Sequence, residues 1–170
     1  MDETPEQIDE LQTLLDAAHQ RSTEHLRNII TDQRTLTAPE LCRVLTGMRT
    51  LSAATVTAAG EPRISAVDGH FLNARWVFTT SGSAAKTRHL RARPAISVAH
   101  VDGDRLGVFT HGRVEFLTES DPDFAGIEAR LVAHYGSSPS SWGDDIVYCR
   151  VQPIWMVGYA FDKNALLETS

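Results

Sequence analysis

The sequence predicts a mainly β domain with flanking helices, in which an antiparallel sheet closes or half closes into a barrel behind an N-terminal helical extension. Three observations carry this expectation. Ahead of Leu51, apolar residues recur at helical spacing. From Leu51 onward, about six short strand-like runs follow one another, punctuated by Gly, Pro, Asn and Asp. The gaps between most of these runs are too short for βαβ crossovers, which take about 10–12 residues each. Closure into a barrel hides the sheet edges such a set would otherwise expose.

In chain order, Ile8, Leu11, Leu14, Leu15, Ala18, Leu26, Ile29 and Ile30 make an apolar stripe interrupted near Ser22-Thr23. One bent helix or two short ones fit it equally. Thr37 with Glu40 three residues on forms a capping box, and Leu41, Val44, Leu45 and Met48 make the face of the helix it starts. Residues 1–36 are therefore expected to form the helical extension and 37–170 the barrel domain. Strands are expected at 52–58, 63–67 and 75–80, with a turn at Ala59-Gly60-Glu61-Pro62 and another around Asn73-Ala74. A short helix over 83–92 ends before Pro94. Strands at 95–101 and 106–117 flank Asp102-Gly103-Asp104, a hairpin signal. Asp121-Pro122 opens a helix reaching Tyr135, with Gly136 as its C-cap. Residues 146–151 and 155–161 supply two last strands.

Charge narrows the function classes. The net charge of −6 resides in residues 1–20, where six acidic side chains occur without Lys or Arg. An acidic chain argues against a nucleic-acid binder, whose affinity needs clustered cations. No apolar run approaches the ~18 residues of a membrane helix, and the acidic start does not resemble a secretory signal, so a cytoplasmic location is expected. Cys42 and Cys149 sit in apolar patterns and read as buried thiols. The seven histidines are scattered without ligand spacing; His70, His100 and His111, on or near strands, are the first to consider for a substrate pocket. Ser83-x-x-Lys86 lacks the companion motifs of penicillin-recognising enzymes. Neither a Gly-x-Gly-x-x-Gly turn, a Walker loop nor a His-Glu-x-x-His motif is present.

The informative stretch is Thr79-Thr80-Ser81-Gly82-Ser83-Ala84-Ala85-Lys86-Thr87-Arg88-His89-Leu90, joining a strand end to a helix start through small hydroxylated residues. Free N–H groups at a helix start favour phosphate. Hydroxyls add donors, and Lys86 and Arg88 add charge. Four basic and no acidic residues lie between Ala84 and Val101. Arg63 alternates with Ser65 and Val67 on one face of the preceding strand. An antiparallel return would let Arg63, Ser65, Thr80 and Lys86 converge on one anion.

The frame Gly60-Glu61-Pro62-Arg63-Ile64-Ser65, the Thr79-Thr80-Ser81 strand end, Ala85-Lys86-Thr87-Arg88-His89-Leu90 with Arg93-Pro94, and Ala95-Ile96-Ser97-Val98 together resemble the pyridoxamine 5′-phosphate oxidase-like superfamily. The Ala-Lys-Thr-Arg-His-Leu stretch looks like its actinobacterial branch that uses the deazaflavin F420, in which Asn commonly stands at the position of His89. The resemblance spans about residues 37–161. It implies a split-barrel homodimer with two cofactor sites at the subunit interface, holding FMN or F420. By that resemblance Lys86 meets the cofactor phosphate, Arg63 and Ser65 line the phosphate and ribityl region, and Thr80 and Ser81 belong to the surrounding loop. Trp155 falls where a partner subunit closes over the ring system. Ala84 stands where F420-binding relatives often carry a second basic residue, which leaves FMN open. The implied activity is hydride exchange between the cofactor and a small organic substrate, the chemistry being the cofactor's. The alternative from the same fold is a non-enzymatic haem or tetrapyrrole carrier.

Overall fold

The structure, a computed structural model, describes residues 3–169. Helix α1 (Pro5–Arg21) starts at a capping box: Thr4 Oγ1 accepts from Gln7 N, and Gln7 Oε1 accepts from Thr4 N at 3.0 Å. Its stripe buries Leu11, Leu15 and Ala18. The interruption at Ser22-Thr23 resolves into two helices, because Thr23 caps a separate α2 (Glu24–Ile29). Helix α3 (Ala38–Val44) starts at Thr37, whose N–H donates to Glu40 at 2.7 Å. Lys163 pairs with the same carboxylate at 2.8 Å.

Six strands follow: β1 (Met48–Val56), β2 (Pro62–Leu72), β3 (Arg75–Ser81), β4 (Ala95–Asp102), β5 (Leu106–Leu117) and β6 (Ile146–Tyr159). They close an entirely antiparallel barrel in the order β1-β2-β3-β6-β5-β4. Between them lie α4 (Ala85–Ala92) and α5 (Phe124–Tyr135), and α6 (Lys163–Glu168) ends the chain. The β2–β3 hairpin turns through Asn73 and Ala74, both in left-handed conformation (φ 53° and 58°), which matches the twist of a two-residue hairpin. Gly136 caps α5 at φ 77°.

Three elements differ from expectation. Met48, expected on the helix face with Leu45, opens β1 instead, because α3 ends at Val44 and Gly47 turns the chain at φ 71°. The two strands expected at 146–151 and 155–161 are one, Ile146–Tyr159, because the register slips by one residue at the point where Pro153 would have ended it. His111 faces Trp155 and Gly112 faces Pro153, leaving Ile154 as an extra, exposed residue. Such a bulge accommodates a residue without an N–H. Gly112 is needed there, since a Cβ would lie 2.2 Å from the Gln152 carbonyl oxygen. Helix α6 was not foreseen; Asp162 caps it by accepting from Ala165 N, and Leu166 docks it on the core.

The barrel interior holds Leu51, Ala53, Trp76, Phe78, Val98, Val108, Cys149 and Val151, continuous with Leu11, Leu15, Leu41 and Leu45 from α1 and the α3 region. A second cluster lies outside the wall, where α5 covers Val77, Leu117 and Tyr148 with Ile127 and Leu131. Burial pushes the thiols of Cys42 and Cys149 up to about 12, so neither is a nucleophile at neutral pH. Two neighbouring strand pairs stay joined over only part of their length. β2 and β3 pair from Leu72↔Arg75 to Gly69↔Phe78 only. β1 and β4 pair only from Ala54↔Ser97 to Ser52↔Ala99.

Candidate cofactor site

Beyond Gly69 the β2 strand leaves β3, and this opening is a mouth in the wall, with Arg63 and Ser65 on the parted stretch of β2. Arg63 and Ser65 lie opposite Thr55 and Ala53 of β1, whose side chains point inward. Thr80 shares the inward alternation of Trp76 and Phe78 on β3. Helix α4 is fastened over the mouth. His89 Nδ1 bonds Thr55 Oγ1 at 3.0 Å, Thr87 Oγ1 donates to the Ser81 carbonyl at 2.7 Å, and Leu90 is buried. Lys86, one turn before His89, is thereby held on the barrel side of the helix, half-buried.

Charge satisfaction separates these residues. The hydroxyls of Ser65 and Thr80 and the Lys86 ammonium have no hydrogen-bond or ion-pair partner among the described residues. Arg63 folds back on its own turn, with one guanidinium nitrogen 2.6 Å from Glu61 and another donating to the Pro62 carbonyl. Arg88 lies on the exposed side of α4 and donates to the Ser83 carbonyl at 2.6 Å. Ser81 is committed elsewhere: its hydroxyl donates to both oxygens of Asp145 at 3.0 Å, and Ser83 N donates to the same carboxylate at 2.7 Å. Those bonds, led by the Ser81 hydroxyl, hold Asp145 below the usual carboxylate range. Gly82 N also donates to the Asp145 carbonyl at 2.6 Å, and a Cβ on Gly82 would lie 2.8 Å from that oxygen. The anion-receptive loop thus holds an internal carboxylate. Asp145 lay outside the sequence-based set, since nothing local marks a residue so far downstream.

Trp155 is on a different surface. It stacks on His111 at 4.8 Å and 19° on the outside of the barrel, and His111 Nδ1 bonds Ser97 Oγ at 2.8 Å. The register sets a row Ile64–Ala54–Ser97–His111–Trp155 across five strands, beside a second row Ala66–Ser52–Ala99–Phe109–Val157. Neither row contains Asp, Glu, Lys or Arg. His70 is buried under α5 instead, with its Nε2 3.0 Å from Tyr135 Oη and its ring against His134.

An ammonium, a guanidinium and hydroxyls are donor types suited to a phosphate monoester. The closed antiparallel wall with its two partly joined strand pairs is a split barrel. The chain belongs to the pyridoxamine 5′-phosphate oxidase family, which matches it over residues 37–158. No curated protein matches it. Among solved structures, it is similar to a conserved hypothetical protein of Mycobacterium tuberculosis (17% identity, 80% of this chain and 92% of that one, TM-score 0.67). It is also similar to an F420 reductase (24%, 67% and 93%, TM-score 0.53) and to the haem storage protein HutZ of Vibrio cholerae (20%, 68% and 88%, TM-score 0.57). At these identities the likeness establishes the fold. No helix among the described residues is long and apolar enough to cross a membrane.

Proposed function

We propose that the protein is a homodimeric oxidoreductase that binds FMN or F420 and exchanges a hydride with a small organic substrate. The observation that carries this is Lys86, a half-buried cation without a partner among the described residues, on the helix that follows the strand bearing Thr80, with Arg63 and Ser65 on the neighbouring parted strand. A buried or half-buried ammonium left unpaired costs stability, and a phosphate there removes the cost. Arg63 would turn from Glu61 toward the same phosphate, while Ser65 and Thr80 would orient it. Ser81 and Arg88 act one step removed, by fixing the loop and the start of α4. The cofactor, when bound, supplies the hydride chemistry.

The uncharged face around Ala54 and Ala99 supports pairing with a second copy. In that pairing the Trp155 of one subunit would close over the ring of the cofactor anchored by the other. The family, and an F420 reductase among structures of the same fold, agree with the reading.

Fluorescence titration with FMN and F420 in parallel, at matched ionic strength, tests it. Tight binding of one is expected, and Lys86→Ala should weaken it by about 1–3 kcal/mol, the scale of a charge-assisted contact. Binding unchanged by that substitution would remove Lys86 from the site. Failure of both cofactors, with a Soret band on adding haemin, would replace the oxidoreductase with a tetrapyrrole carrier.

A further inference from the structure

The other parting of the barrel wall, between β1 and β4, begins at the edge of the uncharged face, where Ser52 and Ala99 line it, and has no part in the Lys86 mouth. Past Ser52↔Ala99 the strands separate toward Met48 and Asp102. In place of a backbone bond, His100 Nδ1 bonds the Thr50 carbonyl at 3.1 Å, leaving Nε2 as the unengaged ring nitrogen. The gap is a cleft of about 470 Å³ between Met48–Ser52 and Ala99–Asp102. It shares Arg49, His100 and Asp102 with a second cleft of about 330 Å³ that runs inward to Arg105, Leu106 and Leu166.

The charges in this groove are unbalanced. Arg49 projects inward from β1, and its Nη2 donates to the Val44 carbonyl at the C-terminal end of α3 at 2.9 Å. Its Nε is buried and has no partner, and no carboxylate pairs with the guanidinium among the described residues. Arg105 reaches Asp102 only at 3.3 Å, with both side chains more than half exposed, and Thr169 Oγ1 also at 3.3 Å. Among the described lining residues one acidic group, Asp102, stands beside two guanidiniums and an imidazole, while Val44, Leu106 and Leu166 provide an apolar wall. A guanidinium in a partly desolvated cleft favours an oxyanion with planar or tetrahedral acceptors.

We infer that the β1–β4 groove is a second binding site, separate from the Lys86 mouth, for a small organic anion whose phosphate or carboxylate meets Arg49 and Arg105 and whose apolar part lies against Val44, Leu106 and Leu166.

Isothermal titration of the full chain with phenyl phosphate, benzoate and inorganic phosphate tests it. The same titrations are made on Lys86→Ala, Arg105→Gln and Arg49→Gln. Arg105 is exposed, so its substitution leaves the fold intact even where Arg49→Gln does not. Expected is binding of phenyl phosphate or benzoate that exceeds inorganic phosphate, survives Lys86→Ala and falls at least about tenfold in Arg105→Gln. A preference for phenyl phosphate over benzoate would assign a phosphate head, and the reverse a carboxylate. Binding lost in Lys86→Ala but unchanged in Arg105→Gln would overturn the inference. So would the absence of heat from all three ligands at about 10 mM, above the millimolar range where weak sites register.

Discussion

The outside of the barrel has two unlike halves. Over β3, β6 and the end of β5, helix α5 covers the wall and buries Val77, Leu117, Ile127, Leu131 and Tyr148. At the rim of that half, Arg150, with 12% of its side chain exposed, pairs with Asp123 at 2.6 Å and with Glu115 at 3.1 Å. Over β2, β1, β4 and the bulged half of β6 no helix among the described residues covers the wall as α5 does, yet the wall is poor in charge and rich in Ala and Ser, and Ile64 stands 76% exposed upon it. A solvated face would be expected to alternate into charged residues. The covered half shows how this chain treats a wall it buries by itself. The uncharged half keeps an apolar composition without such a cover, which is the composition the proposed pairing of two copies requires.

The largest effect should come from breaking the covered half. Leu131→Ala removes a side chain that is 1% exposed and leaves a void under a helix held by few other apolar contacts. Urea unfolding should show a loss of about 2–5 kcal/mol. A loss below about 1 kcal/mol would mean that α5 does not seal that wall. Association between copies, measured on the same variant, should not change.

The boundary between the halves carries a pH dependence. His70 stands on β2 beside Asp68, which belongs to the uncharged half's margin, and beneath Tyr135 and His134 of α5. Burial, aided by His134 and opposed by Asp68, depresses His70 from 6.5 to about 4. Above pH 6.5 neither the folded nor the unfolded chain binds this proton, and stability is unaffected. Between 6.5 and about 4 the unfolded chain takes the proton and the folded chain resists it, so stability falls as pH falls. The full difference is on the order of 3 kcal/mol. Comparing urea midpoints at pH 7.5 and 4.5 for the parent and for His70→Gln isolates it. An equal acid loss in both proteins would assign the effect to other groups.

Legibility in the sequence followed the range of the interaction. Alternating strands, the Thr37–Glu40 box and the Gly136 cap were readable because each is decided within a few residues. Residues 146–161 were read as two strands because Pro153 forbids a regular ladder locally, whereas the bulge that rescues it depends on Gly112 in another strand. At the candidate site, Lys86, Arg63 and Thr80 were legible as residue types suited to phosphate. That Ser81 is occupied was not, since Asp145 lies 64 residues away. Nor was the burial of His70, whose partner Tyr135 is 65 residues distant. The uncharged face needed the register of five strands, which no single run of sequence contains.

The smallest effect on the fold should accompany the largest effect on assembly. Ala54 lies at the second position of the row from Ile64 to Trp155, with its side chain outside the barrel. In Ala54→Glu the carboxylate would point to water in an isolated subunit, so unfolding should move by no more than about 0.5 kcal/mol, as at other outward positions. Between two copies the same carboxylate would be taken from water without a cation in either row to meet it, a cost of several kcal/mol. Sedimentation across a concentration series should therefore show a dimer for the parent and a dissociation constant at least about tenfold weaker for the variant. FMN or F420 affinity should fall with it, because Trp155 would no longer reach the neighbouring Lys86 mouth. If the variant remains dimeric with undiminished affinity, the copies meet elsewhere and the bare half needs another occupant. If instead it loses stability as Leu131→Ala does, the two halves do not differ as their compositions suggest.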